Sequence, residues 1–287
     1  MKPRNLTTKI FLDSGDAAET KQAIELLGFL DGQTTNPSLI AKSHEVQERL
    51  AKGEKFSHDE ILWQYKKTVS GISAMIPEGS VSIEVYADAK STAEDLLKQG
   101  REMFTWIPNA HIKYPTTAAG LAAAHQSVKE GIRVNMTLCF SQSQAAAVYA
   151  ATMGATAGNV YVSPFVGRLD DTGENGMDLI KNTMQMYRGG DGHVSVLTAS
   201  VRSIEHFLYA IHLGSDIITV PLKLLQEWAK LGMPLPEAEY AYDAHGLAEI
   251  QYHELNLAQD WTAFDIQHEL TEAGIKKFSE DWNKLVN

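Results

Sequence analysis

The sequence feature that most constrains the fold is a regular alternation of short apolar, β-branched segments with longer helical patterns. Eight segments of the first kind predict strands at residues 9–13, 33–35, 81–85, 111–114, 133–137, 159–163, 194–199 and 216–220. Strands that alternate with helices form parallel sheets with right-handed crossovers. Eight such units favour closure into a (β/α)8 TIM barrel. An open doubly wound sheet is the alternative, but no Gly-x-Gly-x-x-Gly motif follows the first strand.

The domain organisation follows from the helical patterns and the length. Helices are predicted at residues 36–50, 57–75, 91–103, 117–130, 141–153, 178–187, 203–213 and 222–230. The 287 residues suit a single barrel, for which about 250 residues are typical. We predict an α/β barrel over residues 1–235, with an expanded connection at about 36–78. A C-terminal helical extension over 236–287 follows, and its helix at 252–285 either packs on the barrel or forms a lid or subunit contact near the site.

The composition excludes several function classes. A net charge of −11 disfavours non-specific binding to nucleic acid or to an anionic membrane surface. No run of about 18 apolar residues predicts a membrane span, and the N-terminus has no signal-peptide pattern. Cys139 is the single cysteine, so no intrachain disulfide can form, and a cytoplasmic location fits best. The histidines lack the close spacings of metal sites, so neither a metal nor another cofactor is expected.

Ionisable residues stand where three of the predicted strands end. Asp13, Glu84 and Lys113 all occupy such positions, and Asn135 and Thr137 are on the fifth strand. Side chains alternate in direction along a strand, so the same parity points all five toward the barrel axis. Active sites of TIM barrels lie at the C-terminal ends of the strands. The pattern therefore predicts one polar pocket that contains an amine and two carboxylates.

The chemistry of such a pocket is that of imine catalysis. Burial disfavours the charged form of a lysine and makes its amine available as a nucleophile. Attack of Lys113 on a ketone would form an imine, which is an electron sink for cleavage of a neighbouring carbon–carbon bond. The carboxylates of Asp13 and Glu84 would move the protons that these steps require. The alternative is that the three residues form buried structural ion pairs.

The same residues lie in segments that resemble the transaldolase family, and the resemblance extends almost from end to end. The segments are Phe-Leu-Asp-Ser-Gly-Asp at 11–16, Thr-Thr-Asn-Pro-Ser-Leu-Ile at 34–40, Ile-Lys-Tyr-Pro-Thr-Thr at 112–117, Asn-Met-Thr-Leu at 135–138, Ser-Pro-Phe-Val-Gly-Arg at 163–168 and Ala-Ser-Val-Arg at 199–202. The second and fifth segments are the most specific. Tyr114 and Val201 depart from the family pattern, and parity predicts that both point outward.

The resemblance implies a role for each matched residue. Lys113 would form the Schiff base, Asp13 would act as acid and base, and Glu84 and Thr137 would hold a catalytic water. Two asparagines would bind substrate hydroxyls, a serine the dihydroxyacetone unit, and two arginines the phosphate. The implied substrate-binding residues are Thr34, Asn36, Asn135, Ser163, Phe165, Arg168, Ser200 and Arg202.

The resemblance implies that a dihydroxyacetone unit is transferred from a ketose phosphate to an aldose phosphate in the pentose phosphate pathway. The nearest alternative is fructose 6-phosphate aldolase of the same superfamily, which releases dihydroxyacetone. That type carries Gln at the position of Glu84 and Tyr at that of Phe165, so this sequence favours transfer. A non-catalytic sugar-phosphate-binding barrel is a further alternative, which Lys113 disfavours. Whether the protein forms a homo-oligomer stays open. Parity predicts that Cys139 points inward as a small buried residue.

Overall fold

The computed structural model describes residues 2–286, and its sheet is a closed barrel of eight parallel strands. Consecutive strands pair in chain order, and the last strand closes on the first. The strands are β1 (Lys9–Asp13), β2 (Gly32–Thr34), β3 (Ser80–Glu84), β4 (Ala110–Pro115), β5 (Val134–Cys139), β6 (Val160–Pro164), β7 (Val194–Thr198) and β8 (Ile217–Val220). The predicted TIM barrel is confirmed, with each strand end within two residues of its predicted position. The open sheet is excluded.

Helices connect the strands and surround the barrel. They are α1 (Ala17–Leu27), α2 (Pro37–Lys42), α3 (His44–Ala51), α4 (His58–Met75), α5 (Ala93–Phe104), α6 (Ala118–Lys129), α7 (Gln142–Ala151), α8 (Val166–Asp170), α9 (Gly176–Tyr187), α10 (Ile204–His212), α11 (Leu222–Lys230) and α12 (Glu269–Asn283). Thr117, Ser141 and Ser203 are N-caps, and each side chain accepts a hydrogen bond from a backbone N–H three residues on. Such caps fix where helices begin.

Two short helices differ from the prediction. The pattern at 36–50 predicts one helix, but extended backbone at Ser43 separates α2 from α3. Ser43 is the C-cap of the first and the N-cap of the second. Helix α8 was not predicted, because five residues are too few to show a helical period.

The predicted C-terminal helix is wrong in its first half. Residues 252–268 contain a single 3-10 turn, and α12 begins at Glu269. The side chains of Asn256, Asp260 and Asp265 each accept a hydrogen bond from the backbone N–H two residues on. Bonds of this kind compete with helix formation. Helix α12 itself packs on the barrel beside α2 and β5.

The alternation along the strands separates two apolar layers. Ile10 and Leu12 of β1 are fully buried in the core between sheet and helices, whereas Phe11 packs in a second cluster with Tyr161 and Ile217. The rings of Phe11 and Tyr161 meet edge to face at 6.2 Å. Phe11, Tyr161 and Ile217 fill the interior toward the N-terminal strand ends, and the same cluster continues to Phe165 and Phe278, which line a polar cavity at the opposite mouth. No helix within residues 2–286 is long and apolar enough to cross a membrane.

Candidate active site

The amine of Lys113 lies at the centre of the polar mouth of the barrel. Glu84 on β3 and Lys113 on β4 are register partners, so the strand period brings both side chains inward. Lys113 Nζ is 2.7 Å from Glu84 Oε2 and donates a hydrogen bond of 2.9 Å to the backbone oxygen of Thr35. The side chains of the ion pair are only 4% and 5% exposed. The amine is therefore held between two acceptors away from bulk water.

Asp13 ends β1 on another side of the same cavity. Its Oδ1 accepts a 2.7 Å hydrogen bond from the hydroxyl of Thr34, whose oxygen is 2.6 Å from that of Thr219. Because the Thr34 proton is directed to Asp13, Thr219 donates to Thr34. Burial raises the pKa of Asp13, while the positive charge of Lys113 and the bond from Thr34 oppose that rise. A carboxyl with a raised pKa is suited to accept and return a proton.

Buried polar atoms without partners lie close to the amine. Burial raises the pKa of Glu84, and Lys113 opposes the rise. Although Glu84 Oε2 is within ion-pair distance of Lys113, it receives no hydrogen bond of good geometry. The Thr137 hydroxyl is fully buried and has no hydrogen-bond partner within the described residues. A buried hydroxyl without a partner is costly, so Thr137 is suited to a water or ligand, and Glu84 Oε2 has acceptor capacity left beside the amine.

A hydrogen-bond chain supports the inner wall of the cavity. Ser163 donates a 2.6 Å hydrogen bond to Asn135 Oδ1, and Asn135 Nδ2 donates to the hydroxyl of Ser82 at 3.1 Å. Asn135 is fully buried behind Ser163, which lines the cavity. Asn36 is the N-cap of α2, and its side-chain oxygen accepts from Leu39 N at 2.9 Å. The amide NH2 of Asn36 is therefore what this side chain offers to a ligand.

Arg168 supplies positive charge on the far side of the cavity. Its guanidinium lies over the rings of Phe165 and Phe278, at 5.2 and 5.3 Å from their centroids. Planar contacts of this kind hold the cation in place while leaving its N–H groups free for an anion. Ser200 lines the same part of the cavity with a φ of 57°, a strained value for a residue other than glycine.

The cavity at the mouth of the barrel has a volume of about 230 Å³. Nine of the residues predicted from the sequence line it: Asp13, Thr34, Asn36, Lys113, Thr137, Ser163, Phe165, Arg168 and Ser200. Glu84 lies behind Lys113 and Asn135 behind Ser163, in contact with the lining but outside it. A polar cavity with an amine, two carboxylates and an arginine can bind a phosphorylated carbonyl compound and move its protons.

Comparison with known proteins assigns this arrangement to a family. The model of the Transaldolase/Fructose-6-phosphate aldolase family matches residues 10–287. A probable transaldolase of Dehalococcoides mccartyi is 35% identical over 277 residues, which cover 96% of this chain and 99% of the relative. A probable transaldolase of Sorangium cellulosum is 37% identical over 84% of this chain and 99% of its own length. The chain belongs to the transaldolase/fructose-6-phosphate aldolase family.

One residue that the family resemblance assigns to phosphate does not line the cavity. The guanidinium of Arg202 pairs with both carboxylate oxygens of Asp171, one of them at 2.6 Å, and both side chains are about half exposed. Gly167 permits this position, since a Cβ there would lie 2.4 Å from Arg202 Nε. Arg202 would have to leave Asp171 to reach a ligand in the cavity.

Several lining residues were not predicted from the sequence. Helix α12 contributes Lys277, Phe278 and Asp281 to the cavity wall. Asp281 accepts hydrogen bonds from Ser38 of α2 at 2.5 Å and from Lys277 at 2.7 Å, so the two helices are joined across the mouth. Helix α12 thus packs on the barrel and also lies at the mouth of the site, while a role as a lid or subunit contact stays a prediction. Ser38, Leu39, Lys42, Ala199 and Thr219 complete the lining residues that were missed.

Helix α12 lies close to the site because Gly274 has no side chain. A Cβ at this position would lie 2.5 Å from the Leu138 side chain and 2.8 Å from Arg168 Nη1.

The predicted inward direction of Cys139 is wrong, because Leu138 has a φ of 57° and the β5–β6 register shifts there, which reverses the alternation. Cys139 packs in the outer core, and burial raises its pKa to about 12. Its thiol takes no part in the site. Tyr114 and Val201 pack in the same outer core, as predicted.

The described residues contain no group of three or more His, Cys, Asp or Glu side chains arranged to hold a metal ion. The acidic residues of the site are instead engaged by neighbouring side chains: Asp13 by Thr34, and Glu84 by Lys113.

Proposed function

We propose that this protein is a transaldolase that carries a dihydroxyacetone unit on Lys113 as a Schiff base. The donor would be a ketose phosphate, such as sedoheptulose 7-phosphate or fructose 6-phosphate. The acceptor would be glyceraldehyde 3-phosphate or erythrose 4-phosphate. The observation that carries the proposal is a buried amine within 2.7 Å of a carboxylate, at the base of a cavity that also holds Asp13 and Arg168.

The first step requires a neutral amine. Because burial raises the pKa of Glu84, this carboxyl is able to take a proton across the 2.7 Å contact from Lys113. The amine then attacks the C2 carbonyl carbon of the donor, and the carbonyl oxygen takes up one proton from the attacking nitrogen and one from Glu84. Loss of that oxygen as water leaves a protonated imine. Glu84 and the unpaired hydroxyl of Thr137 are the groups placed to bind this water and move its protons.

The second step breaks the C3–C4 bond of the imine. Asp13 removes the proton of the C4 hydroxyl, and C4 becomes the carbonyl carbon of the departing aldehyde. The electron pair of the broken bond passes into the imine and gives an enamine of dihydroxyacetone on Lys113. The raised pKa of Asp13 matches this task, since the same carboxyl must return the proton when the acceptor aldehyde reacts.

Recognition of the sugar phosphate would use the remaining polar residues. Arg168 is already held at the cavity by two aromatic rings. Arg202 would join it after its guanidinium leaves Asp171 and pairs with the phosphate. Ser200 lines the cavity two residues before Arg202. An exposed ion pair such as that of Arg202 contributes under about 1 kcal/mol, so a phosphate can displace the carboxylate at small cost. Asn36, Asn135 and Thr34 are assigned to the substrate hydroxyls, and Ser163 to the bound three-carbon unit.

Fructose 6-phosphate aldolase is the second candidate, because the matching family includes both activities. Transfer requires that the enamine is not protonated and hydrolysed before the acceptor arrives. Glu84 and Phe165 favour transfer, since the aldolase type carries Gln and Tyr at these positions. Phe165 presents an apolar ring to the cavity beneath Arg168 and has no hydroxyl to position a water. We place the reaction in the pentose phosphate pathway and in the cytoplasm.

A transfer assay distinguishes the two candidates. The protein is given fructose 6-phosphate with and without erythrose 4-phosphate, and sedoheptulose 7-phosphate and free dihydroxyacetone are both measured. We expect rapid formation of sedoheptulose 7-phosphate and little free dihydroxyacetone. Release of dihydroxyacetone without acceptor at the rate of transfer would favour the aldolase. The variant Lys113→Gln, which keeps a polar side chain, is the control and is expected to lose both reactions.

A further inference from the structure

Helix α4, in the expanded second connection, places a tyrosine directly behind the amine. Tyr65 is 1% exposed, and its hydroxyl makes two hydrogen bonds. It accepts from the backbone N–H of Glu84 at 2.9 Å, and its oxygen is 2.6 Å from Thr35 Oγ1. The family resemblance implies no role for any residue between 42 and 78, which includes Tyr65. Neither the matching family nor the imine chemistry assigns Tyr65 a function.

The direction of these bonds is determined by their neighbours. The Thr35 hydroxyl donates its proton to the backbone oxygen of Ser82 at 2.7 Å. The proton in the contact between Thr35 and Tyr65 must therefore come from Tyr65. The phenol thus donates to Thr35 and accepts from Glu84, which uses its donor and one acceptor position. A phenyl ring in its place would leave a buried N–H without a partner.

The two residues bound by Tyr65 are the two that contact the amine. The backbone oxygen of Thr35 accepts from Lys113 Nζ at 2.9 Å, and Glu84 Oε2 lies 2.7 Å from the same atom. Thr35 directly follows β2, and Glu84 is the last residue of β3. A hydroxyl that holds both segments at once fixes the distance between the two acceptors of the amine.

The ring of Tyr65 is itself held by two tryptophans. Trp106 meets it edge to face at 5.9 Å, and Trp282 of α12 packs against it at 6.0 Å. Trp282 is buried and follows Phe278 by one helical turn, and Phe278 lines the cavity. Side-chain contacts and hydrogen bonds therefore link α12 through Tyr65 to the residues that contact Lys113. Aromatic contacts of this geometry restrict a ring more than apolar burial alone.

We propose that Tyr65 is a positioning residue for Lys113, which sets the geometry of the Glu84–Lys113 pair for imine formation. This rests on the proposed function. Tyr65 touches no substrate and acts through Thr35 and Glu84. A small displacement of a catalytic group can reduce a rate by up to about 100-fold. The expanded connection thus contributes to catalysis by supplying this support, in addition to covering the barrel.

The test compares Tyr65→Phe with Tyr114→Phe. Tyr114 is also fully buried, and its hydroxyl is 3.0 Å from Ser127 Oγ on the outer side of β4, next to Lys113 in sequence but directed away from it. Each protein is mixed with fructose 6-phosphate, reduced with borohydride after set times, and weighed intact. The rate of adduct formation is measured across pH, and melting curves report the folded fraction.

We expect Tyr65→Phe to form the adduct about five- to tenfold more slowly than Tyr114→Phe, as for loss of about one hydrogen bond. The pH of half-maximal rate should also shift by about 0.5–1 unit, because the contact between the Lys113 amine and the Glu84 carboxylate is loosened. A general loss of stability lowers the amount of active protein but leaves this midpoint in place.

The outcomes separate this proposal from the proposed function. If the unaltered protein forms no adduct on Lys113, the transaldolase proposal fails. If it forms the adduct and Tyr65→Phe matches Tyr114→Phe in rate and midpoint, Tyr65 has no positioning role. Should Tyr65→Phe not fold, Thr35→Val is measured in its place. It removes the hydroxyl that Tyr65 binds and keeps the backbone oxygen that Lys113 binds, and an unchanged rate and midpoint there would overturn the proposal.

Discussion

Replacing Glu84 by Gln tests whether the buried carboxylate compensates the charge of Lys113. The two side chains are almost completely buried and 2.7 Å apart, so the variant keeps the shape of the site and removes its negative charge. At pH 6 the lysine must then either remain an uncompensated buried ammonium or lose its proton. Removing one partner of a buried pair costs about 3–5 kcal/mol. The amide of the variant can still accept a hydrogen bond from the amine, so the measured cost is that of the lost negative charge.

The measurement is the free energy of unfolding at pH 6, from denaturant titrations. For a chain of this size, a loss of about 3–5 kcal/mol corresponds to a decrease in Tm of roughly 5–8 °C. The matched control is Glu130→Gln, which breaks the surface pair of Glu130 with Arg101 and is expected to have little effect. A Glu84→Gln protein as stable as the parent at pH 6 would refute the compensation argument.

Three further perturbations test other parts of the structure. Burial lowers the pKa of His111 to about 3, so the unfolded chain, with a pKa near 6.5, binds a proton that the folded chain excludes. The parent protein therefore loses stability as the pH falls below about 6.5. Because His111→Gln removes this group, the drop in unfolding free energy between pH 7 and pH 4.5 should be smaller by about 2–3 kcal/mol in the variant. A drop in the variant as steep as that in the parent would contradict this role of His111. Asp171→Asn should free Arg202 and lower the KM for fructose 6-phosphate about twofold to fivefold, with no change for unphosphorylated fructose; an unchanged KM for both would count against Arg202 as a phosphate ligand. Gly274→Ala should displace Arg168, whose Nη1 would lie 2.8 Å from the new Cβ, and raise that KM, with a loss of stability of about 1–3 kcal/mol from the contact with Leu138. A KM equal to the parent's would show that the arginine is free to move.

The barrel was predictable from the sequence because each strand carries a local signal and the alternation repeats eight times. The inward direction of Glu84 and Lys113 followed from strand parity alone. Parity failed at Cys139, where the positive φ of Leu138 reverses the alternation. Such a backbone reversal leaves no trace in a pattern of apolar residues, and it was therefore not predicted. The irregular segment before α12 was missed for a related reason, since Asn256 and its neighbours compete locally with helix formation.

The candidate site was predictable where it lies on strand ends and not where distant segments meet it. Phe278 and Asp281 reach the cavity from the last helix, and Tyr65 reaches Lys113 from the expanded connection. Contacts between elements so far apart in the chain have no sequence spacing to indicate them. The pairing of Arg202 with Asp171 was equally invisible, because two charged residues 31 positions apart do not indicate which partner either prefers.

The most direct test of the account is to identify the residue that carries the three-carbon unit. The protein is incubated with fructose 6-phosphate, reduced with borohydride, digested and analysed by mass spectrometry. The account predicts a single dihydroxyacetone-derived adduct on Lys113, absent from the Lys113→Gln variant. Lys277, which lines the same cavity and is more exposed, is the internal control for non-specific reaction. An adduct on Lys277 or another lysine, or none at all, would contradict the mechanism.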